Sequence, residues 1–238
     1  QPFPVQGFQN VVNLETAAFS SSAGLALPWK AEKLRQVTSY VSAGEVLQYA
    51  LATLSLCSTW TTFILHLDKL TPLSAAAPIT SMVSKFEIRC TDAKESVLAT
   101  ALRSVTLPSL VRLGTVAPTA CIPIPEFLAF ISRCGLSDSL QTLCLKQRIC
   151  DSQLLHCLEQ LAHLTCLWVH DIQQRGRRQE HVLVTDYLLN GIEDMAKRGH
   201  LRLMSLDLTT LEKYTDTNLT GLAVMLQGAT IRIDRATE

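Results

Sequence analysis

Charge is scarce in this chain and cancels. Only 18% of the 238 residues are charged, and 21 Lys and Arg stand against 21 Asp and Glu. No sequence-wide field therefore draws the molecule onto a phosphate backbone or an anionic membrane, so neither nucleic acid nor a membrane surface is expected as main partner. Glycine and proline are few as well, 10 and 9, which excludes a collagen-like or low-complexity polymer. Aromatic residues supply only 6%, yet apolar side chains reach 47%, so the chain can bury a core and is not disordered. Eight cysteines are too sparse for a disulfide scaffold, and none form the paired CxxC spacing of a zinc ribbon. They read as reduced thiols of an intracellular protein, cytoplasmic or nuclear. The sequon Asn218-Leu219-Thr220 falls where a helix is expected to start, which disfavours a glycan. No signal-peptide pattern follows Gln1, and a start other than Met suggests a fragment.

One uncharged run, Val46 to Leu65, is long enough to span a membrane. It carries Gln48, Ser55, Ser58, Thr59, Thr61 and Thr62, however, and it divides into two periods. Leu47, Ala50, Leu51 and Leu54 keep helical spacing, whereas Phe63, Leu65 and Leu67 alternate, which predicts a helix followed by a strand.

What the chain has in excess is leucine, 39 residues and about twice the ordinary share, which directs attention to internal repeats. The pattern apolar-x-x-apolar-x-apolar starts at Leu14, Leu34, Trp60, Val83, Leu110, Leu140, Leu164 and Leu203, and a degenerate last copy ends Ile231-x-Ile233. Intervals of about 20 to 30 residues match the leucine-rich-repeat period. The longer interval between Leu164 and Leu203 holds a polar insertion, Gln173 to His181.

Helix signals fall between the copies. Ser42-x-x-Glu45 forms a capping box, Pro125 suits a first helical turn ahead of Phe127, Leu128 and Ile131, and Gly135 stops it. Asp151 is expected to cap Leu154, Leu155, Leu158 and Leu161, and Thr185 to cap Leu188, Ile192 and Met195 before Gly199. Thr215 or Asp216 opens Leu219, Leu222, Ala223 and Leu226 before Gly228. Strand and helix alternate, and no unit can cover its own apolar faces. The expected fold is therefore α/β, a leucine-rich-repeat solenoid or horseshoe with about nine parallel concave strands and convex helices, one domain over residues 1–238. A doubly wound sheet would need a Gly-rich phosphate turn, and none is present.

The segments LALPWKAEKLRQV, SAGEVLQYALATLSLCSTWTTFILHL, TLPSLVRLG, IPIPEFLAFISRCGLSDSLQTLCL and DSQLLHCLEQLAHLTCLWV resemble the leucine-rich-repeat region of fungal, basidiomycete-type F-box-like proteins. The similarity covers most of the chain from about Phe8. Cys57-Ser58-Thr59-Trp60 departs from the family's turn pattern by lacking proline, and Leu67 to Met82 is atypical. The resemblance implies the substrate-receptor repeats of an F-box-type cullin ubiquitin ligase. No F-box pattern occurs within the chain; it would lie upstream, and contact with the ligase adaptor would depend on it. A leucine-rich-repeat scaffold or GTPase regulator unrelated to ubiquitin is the alternative.

No nucleotide-binding, nucleophile-elbow or HExxH string is present, no cofactor is expected, and the chain does not read as an enzyme. The cluster Cys150, His156, Cys157, His163 and Cys166 contains zinc-ligand chemistry, but the repeat scatters it over a cap, a helix, a turn and a strand. His66-x-Asp68 and His170-Asp171 lack a partnered nucleophile, and the Arg175, Arg177, Arg178 run reads as a solvated loop. Of the three tryptophans, Trp60 takes an inward slot, Trp29 precedes a strand, and Trp168 falls between inward Leu167 and Val169 and so faces the concave side.

With the fourth and sixth repeat positions in the core, the third, fifth and seventh face the concave surface. That phase puts Lys85, Glu87, Arg89, Arg112, Cys144, Lys146, Cys166, Trp168, His170, Asp207 and Arg232 there, five cationic and two anionic. Spaced Arg and Lys with an exposed indole suit a protein partner that is acidic or phosphorylated.

Overall fold

The computed structural model describes residues 15–20, 35–41, 47–56, 61–67, 78–91, 95–170, 185–210, 222–226 and 228–235. Among the described residues, eleven strands run in chain order as β1 Thr16–Ser20, β2 Gln36–Val41, β3 Thr62–Leu67, β4 Ile79–Thr80, β5 Lys85–Cys90, β6 Val105–Thr106, β7 Arg112–Cys121, β8 Thr142–Arg148, β9 Cys166–His170, β10 Ser205–Thr210 and β11 Thr230–Arg235. The helices are α1 Leu47–Ala52, prolonged by a 3-10 turn over Thr53–Leu56, then α2 Glu95–Arg103, α3 Ile124–Cys134, α4 Asp151–Leu158 and α5 Asp186–Lys197.

Nine strands form one sheet in the order β1-β2-β3-β5-β7-β8-β9-β10-β11, and every pairing is parallel. This is the leucine-rich-repeat solenoid that the sequence pattern predicts, with one strand from each copy. The register aligns the fourth repeat positions into a single rung, Val37, Phe63, Phe86, Leu113, Leu143, Leu167 and Leu206 in sequence, each at most 1% exposed. Such stacking is what a repeat with one apolar strand face must do, because each buried Leu or Phe contributes about 1.5–3 kcal/mol only if a neighbour covers it. Phe63 and Phe86 stack with ring centroids 6.0 Å apart. The sixth-position rung is less uniform. Ser39 and Thr115 occupy it, fully buried, and neither hydroxyl has a hydrogen-bond partner.

The helices share this core, so they cover the sheet face opposite the charged one. Helix α3 starts as expected, with proline in its first turn, and ends at Gly135, whose φ of 64° lets its own N–H and that of Leu136 reach the carbonyls of Ser132 and Ile131. Thr185 caps α5, its Oγ1 accepting from Leu188 N at 3.2 Å. The expected cap of α4 moves by one residue. Cys150 holds the cap position, its N–H donating to Gln153 Oε1 at 3.4 Å, while Asp151 opens the helix and accepts from Thr185 Oγ1 at 2.7 Å. The other carboxylate oxygen of Asp151 accepts from Ser152 N at 2.6 Å, so the side chain joins the starts of α4 and α5.

Helix α2 and the two-stranded sheet β4-β6 were not expected from the sequence. The pairing of β4 with β6 rests on two residues each, too short for periodicity to register. In the last repeat, residues 222–225 are helical with Leu222 and Leu226 buried, but Ala223 is exposed rather than part of the stripe. In the uncharged run α1 is followed by the start of β3, and no helix among the described residues is long and apolar enough to cross a membrane. The Ser42 capping box, the Thr215 or Asp216 helix start, the Gln173–His181 insertion with its arginines, the sequon, Trp29 and Trp60 lie outside the described residues.

Candidate functional site

The outward positions of the sheet line a trough of about 580 Å³ reaching from β2 to β10. Eight of the nine residues assigned to the binding surface from phase alone meet there: Lys85, Glu87, Arg89, Arg112, Lys146, Trp168, His170 and Asp207. Arg232 lies one strand beyond, in register with Asp207, and is exposed. Ladder pairing explains the convergence. Glu87, Gly114, Cys144, Trp168, Asp207 and Arg232 form one rung, with Lys85 and Arg112 on the rung before and Arg89, Lys146 and His170 on the rung after.

The centre is a contact between strands that do not touch. The Arg112 guanidinium on β7 lies 5.2 Å from the ring centroid of Trp168 on β9. It reaches across β8 because the intervening rung residue is Cys144, whose short side chain is buried in the trough floor. Burial pushes the Cys144 thiol up, opposed by Lys146 and Arg112, which marks both cations as close. Cation–π contact fixes the guanidinium while leaving its N–H groups toward the trough.

The remaining charges are sorted. Arg89 Nε donates to Glu87 Oε1 at 2.6 Å, so this pair neutralises itself. Glu87 lies over Gly114, where an added Cβ would meet Glu87 Cγ at 3.0 Å. Lys85, Arg112 and Lys146 make no ion pair among the described residues. His170 Nε2 stands 3.9 Å from Asp207 Oδ1, and that buried oxygen accepts no hydrogen bond. Trp168 Nε1 donates instead to Ser205 Oγ at 3.5 Å.

At the other end Tyr40 stacks on His66 with centroids 4.6 Å apart. Burial first, and then Arg89, hold the His66 imidazole below its ordinary value. Gly114 and the Tyr40–His66 stack were missed, although repeat phase places all three outward. Asp68 and Asp171, the sequence neighbours of the two histidines, lie outside the described residues.

The five zinc-type side chains do not converge. His156 faces Glu159 at 3.5 Å, His163 faces Asp138 at 4.0 Å, and Cys157 is fully buried with its thiol pushed up to about 12. No group of three or more metal-ligating side chains occurs among the described residues.

The sequence matches no known family model and no curated protein. Among solved structures, the crystal structure of a TLR13–ssRNA13 complex is similar with a TM-score of 0.39 and 11% identity. The match covers 95% of this chain, which spans 38% of the length of that one.

Proposed function

We propose that this chain is a noncatalytic protein-recognition module whose trough takes an acidic or phosphorylated segment of an intracellular protein. The observation that carries the reading is the Arg112 guanidinium held over Trp168 inside the trough, without a carboxylate of its own. A guanidinium fixed in this way offers paired donors to a carboxylate or phosphate, and the indole beside it gives an apolar anchor at low entropic cost. Lys85 and Lys146 add positive charge within the same trough.

On the resemblance to F-box-like proteins, the partner is a ubiquitination substrate and the chain the receptor part of a cullin-type ligase. The complete open reading frame tests that finer reading. An F-box in frame supports it, and a scaffold or GTPase-regulating module in its place overturns it. The recognition reading is tested with Trp168→Ala and Arg112→Glu, measured by calorimetry against a partner captured by the wild-type chain. Each is expected to weaken binding by about 1–2 kcal/mol or more without changing thermal stability. Undiminished binding in both variants would move the site to the loops or the helical face.

A further inference from the structure

We infer that the trough reads a two-point motif in an extended peptide lying across the strands: an acidic group over Arg112 and, three or four residues away, a hydrogen-bond donor facing Asp207. The inference rests on the recognition reading above and deepens it by assigning spacing and chemistry to the ligand.

Shape decides the conformation of the occupant. The trough is lined by seven strands, from Gln36 on β2 to Asp207 on β10. Neighbouring strands lie about 4.8 Å apart, so six spacings give roughly 29 Å. An extended chain of about nine residues matches that length, with its side chains alternately in and out.

Charge decides the motif. Arg89 is committed to Glu87, which leaves Lys85, Arg112 and Lys146 as the groups an acidic side chain can meet on β5, β7 and β8. At β10 the need is reversed. The Asp207 side chain is 23% exposed in the trough wall and its carboxylate accepts no hydrogen bond among the described residues: His170 Nε2 is 3.9 Å from Oδ1 and Trp168 Nε1 bonds Ser205. A ligand N–H or ammonium beside the indole would meet the exposed oxygen of that carboxylate. From β8, across which the Arg112 guanidinium extends, β10 is two strands away, and from β7 three, so the points are roughly 10–14 Å apart. At about 3.3 Å per residue this is three or four residues of extended chain.

The test is selection of phage-displayed random dodecapeptides on the immobilised 238-residue chain, followed by affinity measurement of the enriched peptides. Enriched peptides are expected to carry Asp or Glu with Lys, Arg, Asn or Gln three or four positions away. Asp207→Asn should weaken them at least tenfold, and replacing the peptide's donor by norleucine should cost as much in wild type and little in Asp207→Asn. Peptides that lose binding in Arg112→Glu but show no spaced donor, or a spacing near seven residues as on a helix, would overturn the motif and leave acidic recognition standing. No enrichment, or enriched peptides indifferent to Arg112→Glu and Trp168→Ala, would overturn both. Matching thermal melts of each variant and wild type exclude misfolding as the cause.

Discussion

Gly191 and Leu155 offer a sensitive probe of how the convex helices stack. Gly191 lies inside α5, where glycine is about 1 kcal/mol worse than alanine for an isolated helix. A Cβ added there would sit 2.6 Å from both Leu155 methyl carbons and 3.2 Å from Leu155 Cγ, on the neighbouring helix α4. Overpacking of this kind costs about 1–3 kcal/mol, so Gly191→Ala should come out neutral to about 2 kcal/mol destabilising despite the better propensity. Leu155 is 9% exposed, at the rim of the core, and Leu155→Ala should cost about 2–3 kcal/mol, the lower end for buried leucines. Leu155→Ala also removes all three atoms that the new methyl would strike. In that background Gly191→Ala should therefore stabilise by about 1 kcal/mol, reversing its sign, with a coupling of roughly 1–3 kcal/mol. Urea denaturation followed by circular dichroism on the four chains of the cycle measures it. Additivity within about 0.5 kcal/mol would refute the stacking of α5 on α4.

Thr185→Ala removes the α5 cap at Leu188 N and the bond to Asp151 Oδ2, and should cost about 1–2 kcal/mol, while Thr185→Ser restores most of it; equal losses in both variants on denaturation would contradict the capping role. Gln147 is fully buried with neither amide atom hydrogen-bonded, so Gln147→Met should raise stability by about 1 kcal/mol or more, and a lower denaturation midpoint would count against it. Burial pushes the Cys90 and Cys157 thiols up to about 12 from an ordinary 9.0. The folded state then holds protons that the unfolded chain has lost, so their contribution is complete below pH 9 and falls away as pH rises toward 12. Cys90→Ala with Cys157→Ala should flatten the alkaline decline in stability, and an unchanged slope would rule these thiols out as its cause.

The trough and its lining were legible in the sequence to the extent that repeat phase governs them. A period of two lets one leucine position in each copy assign the facing of every neighbour, which is why Lys85, Arg112, Trp168 and Asp207 could be grouped although they span four strands. Cap residues with a single local partner, Thr185 and Gly135, were readable for the same reason: their effect runs over three or four residues. Where a second chain segment supplies the partner, the sequence is silent. The Asp151 carboxylate meets Thr185, 34 residues on, a contact that no local spacing announces. Ser39 and Thr115 fall in sixth positions, so phase alone sends them inward, but only register shows that they share one rung with Leu65 and Ile88. Phase places Arg112 and Trp168 on one face but cannot say that they stack, since the contact requires the small Cys144 between them. Nor can it show that Arg89 is spent on Glu87 while Asp207 keeps an oxygen unbonded. By itself the sequence determined the solenoid and which side chains share its charged face, because apolar burial follows a local period. The tertiary structure decided which charges on that face are already satisfied, because hydrogen bonds and ion pairs depend on distances between strands that periodicity does not encode.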